Sequence, residues 1–178
     1  MDDRLSAALE RLAAPLYGVA VLLVVTPIFD LTLNVWPLNF GAVEWRYGSI
    51  GLLSGFLLTP LIGTALAAWM ALGLGHRRTQ WTVVILNLAL AVFVVVACLD
   101  FALDVLQLRR SVPATQPGAL WTVTVGGAKA LLKLGSGALA FAWLALAGYR
   151  AARSAGPERA PAANTMLVRP STGTVRKS

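Results

Sequence analysis

The chain is 178 residues long, 57% hydrophobic and 13% charged, with a formal net charge of +7 and a mean hydropathy of +0.71. A soluble domain carries about 25% charged residues, so these values exclude an ordinary soluble core and indicate a single-domain integral membrane protein. One cysteine, Cys98, excludes an intramolecular disulfide, and one histidine, His76, argues against a metal centre, which gathers several Cys, His or acidic ligands; no cofactor is expected.

Residues 1–12 mix acids and bases (Asp2, Asp3, Arg4, Glu10, Arg11) and read as a cytoplasmic amino terminus. No small-residue cleavage site follows the first apolar run, which points to a retained helix and not to a cleaved signal peptide. Four apolar runs cover residues 13–35, 49–74, 81–108 and 120–149, each longer than the ~20 residues that cross a bilayer core. They are continuously apolar and not alternating, which selects helices over barrel strands. Pro27 is expected to kink or end the regular part of the first span, because proline lacks the N–H and crowds the preceding turn. The fold class is therefore all-α: an integral membrane four-helix bundle over residues 13–150. The tail, 151–178, is rich in Ala, Pro, Ser, Thr and Arg, has no apolar periodicity, and is expected to be a disordered basic segment.

Orientation follows from Lys and Arg. Ten of the 15 fall at the amino terminus, between the second and third spans, and in the tail. The remaining five are Arg46, Arg109, Arg110, Lys129 and Lys133. Both termini are expected in the cytoplasm, with His76, Arg77 and Arg78 in a short cytoplasmic loop. The positive charge there suits anionic lipid head groups on the cytoplasmic side. No basic helix with interleaved aromatics appears, so nucleic acid is not an expected partner. Trp36, Trp45 and Trp121 fall at the outer boundary, and Trp69, Trp81 and Trp143 toward the inner one, as suits an apolar ring with a polar N–H.

The second span carries small residues at every fourth position: Gly51, Gly55, Thr59, Gly63, Ala67 and Ala71. Small residues let helix backbones approach in lipid, so this stripe is expected to face another helix of the same chain, ahead of a dimer seam. Asp100 and Asp104 sit i,i+4 near the end of the third span, and Lys129 and Lys133 sit i,i+4 near the start of the fourth. In an antiparallel hairpin, residues at equal depth have a constant index sum, which sets Asp104 opposite Lys129 and Asp100 opposite Lys133. The expectation is an ion-pair ladder that staples the last hairpin, with a proton or ion relay as the alternative. A helix rises roughly 28 Å from Trp81 to Asp100 and roughly 24 Å from Tyr149 back to Lys133, so the ladder lies at the outer edge of the hydrocarbon, where water and snorkelling reduce the cost of charge. No nucleophile–base pair, phosphate-binding glycine loop or HExxH motif is present, and no catalytic residue is assigned.

Residues 36–48 are too apolar for a solvated loop and too short to span. They are expected to lie in the outer interface, forming with neighbouring charges an outer polar cluster of Asp30, Trp36, Glu44, Trp45, Arg46, Arg109 and Arg110. Pro37 and Leu38, the triplet Glu44, Trp45 and Arg46, and Pro60, Leu61, Ile62 and Gly63 with Ala65 and Leu66 resemble the first loop and second span of HpsJ-type bacterial membrane proteins. That resemblance implies an envelope-associated accessory role linked to exopolysaccharide and exosortase systems, and it implies no catalytic residue. Together these readings give a non-enzymatic accessory or scaffolding protein of the bacterial inner membrane with a membrane protein partner. The alternative is a small ion- or proton-coupled transporter or channel that uses the outer cluster.

Overall fold

The computed structural model describes residues 3–113, 115 and 117–154. These form five helices: α1 (Asp3–Val35), α2 (Val43–Phe56), α3 (Leu58–Gly73), α4 (Arg77–Ser111) and α5 (Pro117–Ser154). α2 and α3 run on as one stretch, Val43–Gly73, so four helices are long and apolar enough to cross a membrane. Below, the end that holds the 36–42 and 112–116 connections is called distal.

Several expected boundaries move. α1 begins at Asp3 and continues unbroken through Pro15 and Pro27 to Val35, so Pro27 does not end it. α2 starts at Val43, which places Glu44, Trp45 and Arg46 on its first turn, with Tyr47 just after it, and confines the distal connection to Trp36–Ala42. Arg77 and Arg78 open α4 and are not in a loop. The connection before them is a tight helix stop. His76 N–H donates to Ala71 O (2.9 Å) and Gly75 N–H to Leu72 O (3.4 Å), with Gly75 at φ 67°, a left-handed position that costs glycine no Cβ clash. α5 starts at Pro117, whose missing N–H is harmless in a first turn, and continues to Ser154 beyond the expected boundary. The rest of the expected tail, 155–178, lies outside the described residues.

Pro60 breaks the second span. Its ring crowds the carbonyl four residues back, at Phe56, and its nitrogen cannot donate to it. The hydrogen-bond ladder is accordingly interrupted between Phe56 and Leu58, while Leu57 itself keeps helical angles (φ −62°, ψ −30°). Both parts of the stretch pack on α1, α4 and α5, with the contact to α1 concentrated on α3. α4 and α5 form the most extensive contact, and α1 packs chiefly on α3 and then on α2. The expected bundle is thus a core of three spans with α1 laid against one flank.

The core sits where α4 and α5 meet the break. Phe101, Phe141 and Leu134 are fully buried, with Val94, Ala91, Val105, Ala130, Ala138 and Leu57 around them. Small residues set the close crossings. A Cβ added at Gly127 would stand 2.9 Å from Val105 Cγ2, one at Gly148 2.7 Å from Val84 Cγ2, and one at Gly137 2.8 Å from Leu57 Cδ1. The small-residue stripe does not act as one seam. Gly63 meets α1, with Ala20 O 2.8 Å from an added Cβ, but Gly51 and Gly55 face open space. The two ends of the stripe therefore have different surroundings.

Candidate functional site

The distal polar cluster is built around Arg46. Placed on the first turn of α2, Arg46 reaches across to α4 and donates from Nη2 to Asp104 Oδ1 (2.6 Å) and from Nε to Asp104 Oδ2 (3.0 Å). Its third nitrogen, Nη1, donates to Phe40 O at 2.7 Å. A planar guanidinium matches a carboxylate with two parallel hydrogen bonds and keeps further donors for a carbonyl. One side chain therefore fastens the distal connection, α2 and α4 together. Asp104 is 2% exposed, so Arg46 neutralises a charge that would otherwise be buried alone.

Neighbouring contacts hold the same turn. Trp45 Nε1 donates to Val35 O at 3.0 Å, bridging α1 to α2, and Phe40 packs edge-on against Trp45 with centroids 5.1 Å apart. Tyr47 stacks on Phe101 at 5.1 Å and donates its hydroxyl to Val123 O of α5 at 3.2 Å. That approach depends on Gly126, where an added Cβ would stand 3.0 Å from the Tyr47 oxygen. Consecutive residues 45, 46 and 47 thus tie α2 to α1, α4 and α5 in turn, because successive helix positions point about 100° apart.

The expected ladder is corrected. Among the described residues the Arg46–Asp104 pair is the one salt bridge, and neither Asp104 with Lys129 nor Asp100 with Lys133 is joined. The depth was right and the rotation wrong. Val105 lies against Gly127 and Val84 against Gly148, a register one residue from the one assumed. However, α5 presents Gly127, Ala130, Leu134 and Phe141 to the core, which leaves Lys129 and Lys133 on an exposed flank. On α4, Phe101 and Val105 face inward, so Asp104 is buried beside them while Asp100 is exposed.

The other expected members of the cluster are dispersed. Asp30 and Glu44 are exposed, and Trp36 is 69% exposed at the distal end. Arg109 and Arg110 are exposed in the last turn of α4, where positive charge complements the helix dipole. Two buried polar contacts escaped the sequence reading. Gln80 donates to Gly148 O at 3.2 Å across α4 and α5. Asn87, 1% exposed, donates to Val83 O at 2.9 Å, and its Oδ1 has no hydrogen-bond partner. Amides inside apolar runs were the available signal for both. At the opposite end Tyr17 meets His76, with the hydroxyl 3.3 Å from Nδ1. No three His, Cys, Asp or Glu side chains gather among the described residues. Comparison with protein-family models, with curated proteins and with solved structures returns no match for this chain.

Proposed function

We propose that this chain is a non-enzymatic accessory or scaffolding subunit of a bacterial envelope assembly, held in the inner membrane with both termini in the cytoplasm. The resemblance around Pro37–Leu66 makes polysaccharide secretion the suggested process. The supporting observation is the use made of the buried carboxylate. A proton or ion relay needs a carboxylate whose oxygens are open to a water path. Both oxygens of Asp104 are taken by Arg46, which also anchors the backbone at Phe40. That arrangement favours fixing a surface over passing an ion. The surface it fixes carries Trp36 and Phe40, 69% and 66% exposed, and exposed aromatics beside charge are typical anchors for a protein partner.

The test is purification in mild detergent from the native host. A stoichiometric membrane protein partner should accompany the wild-type chain and be lost from the Trp36→Ala/Phe40→Ala double variant. Recovery of the chain without a partner, together with ion- or proton-driven flux in proteoliposomes that Asp100→Asn abolishes, would replace this reading with the transporter. Asp100 is the residue for that arm, because its carboxylate is exposed and makes no salt bridge among the described residues.

A further inference from the structure

We infer that the flank between α2–α3 and α5 is a binding groove for one anionic phospholipid, its phosphate held by Lys129 and Lys133 and one acyl chain lying along the glycines of α2. This inference rests on the membrane-spanning reading of the four long helices.

The two lysines are the starting point. Both are exposed and neither makes a salt bridge among the described residues. Counted from Tyr149, Lys129 lies roughly 30 Å along α5 and Lys133 roughly 24 Å, against a hydrocarbon thickness of ~30 Å. The first therefore stands at the distal boundary and the second about one turn inside it. Helix side chains tilt toward the amino-terminal end, and the amino-terminal end of α5 is the distal one. Both ammonium groups therefore snorkel in the same direction, toward one level of the head-group region. Two cations at i,i+4, converging at that level, call for an anion there.

The space below them fits a hydrocarbon chain. Two adjoining hollows of about 440 and 360 Å³ share Ser54 and Lys133 and run from Tyr47 and Gly126 down to Leu61 and Ala140. From Lys129 at the mouth to Ala140 a helix rises roughly 17 Å, the scale of one lipid leaflet's hydrocarbon, about half of a ~30 Å core. Gly51 and Gly55 form one wall without side chains, and nothing lies within 4 Å of a Cβ added at either. The hydroxyls along the groove are already used: Ser54 Oγ donates to Gly51 O at 2.6 Å and Ser136 Oγ to Lys133 O at 3.0 Å. The groove therefore offers cationic charge at its mouth and satisfied or apolar groups along its length. A phospholipid has that distribution, with charge at one end and hydrocarbon along the rest.

Native mass spectrometry of the full chain in mild detergent tests this, with added phosphatidylglycerol or phosphatidylcholine of identical acyl chains. One phosphatidylglycerol should be retained, and the zwitterionic lipid about tenfold less well. Lys129→Gln and Lys133→Gln should each weaken retention about fivefold, and together about 25-fold. Gly55→Leu and Gly51→Leu should fill the groove and abolish retention with both lysines present and thermal unfolding unchanged. Equal retention of the two lipids, indifference to the double lysine change, or indifference to both filling variants overturns the proposal. So does a wild-type dimer that Lys129→Gln/Lys133→Gln dissociates, since a second copy would then be the occupant. Alkaline carbonate extraction checks the membrane reading separately: release of the chain would refute that reading, whatever the lipid result.

Discussion

Gly63→Ala should detach α1 from the rest of the molecule to a measurable degree. The added methyl would stand 2.8 Å from Ala20 O, 2.9 Å from Leu23 Cβ and 3.1 Å from Val24 Cγ2. Comfortable contacts lie near about 3.5 Å, so α1 must recede by roughly 0.7 Å along its main line of packing. The nearest atom is backbone, which has no rotamer to change, so the helix itself must move. Overpacking of this kind costs about 1–3 kcal/mol, and the better helix propensity of alanine offsets at most about 1 kcal/mol. Gly51→Ala and Gly55→Ala are the matched controls. Their Cβ positions are open, so they should leave stability unchanged or raise it by up to about 1 kcal/mol. The assay is reversible unfolding in mixed detergent micelles, with cysteine crosslinking between α1 and α3 as the local probe. Gly63→Ala as stable as the controls, with crosslinking yields unchanged, would refute the assignment of this glycine to the α1 contact.

Arg46→Gln alone or Asp104→Asn alone should destabilise the distal end, seen as faster hydrogen exchange over residues 36–47. Arg46→Met with Asp104→Leu should recover most of the loss, because it removes both charges. Exchanging Asp104 and Lys129 should give no rescue, and a full rescue would reinstate the ladder. Phe141→Ala empties a site at 0% exposure and should cost about 3–5 kcal/mol, measured by the same unfolding assay. Asn87→Leu removes a buried oxygen that has no partner and should be neutral or stabilising by up to about 3 kcal/mol; a clear loss of stability would show that Oδ1 is satisfied in the folded protein.

The number of long helices was legible in the sequence, because unbroken apolar runs carry that information without reference to neighbours, whereas their ends were not, since the polar turns that extend each helix beyond its apolar run carry no hydropathy signal. Depth was legible too: matching indices along an antiparallel hairpin set Asp104 at the level of Lys129 to within one residue. Rotation was not. A charge at a given depth can point in any direction, and which way Asp104 points depends on Phe101 and Val105 taking the core side of α4, a choice made by packing across three helices. Arg46 was read as part of an interfacial segment because the start of α2 at Val43 has no side-chain cap to announce it. That Gly63 meets α1 while Gly51 and Gly55 face open space was not legible, because spacing along one helix does not say where its neighbours lie. Gly75 was the plainest unread signal, a glycine just past a helix end, where a left-handed residue is the usual stop.

A straight helix presents each neighbour with one continuous line of side chains, and a neighbour touching it at one end constrains it at the other. In the second long helix that line loses one link, where Pro60 leaves the Phe56 carbonyl without its donor, while Leu57 between α2 and α3 keeps helical angles. One end of this helix is held by Trp45, Arg46 and Tyr47 and the other by Gly63 against α1. Load applied to the distal surface through residues 45–47 should therefore pass into α1 through Trp45 as well as into α4 and α5, and along the helix to the seating of α1 on α3.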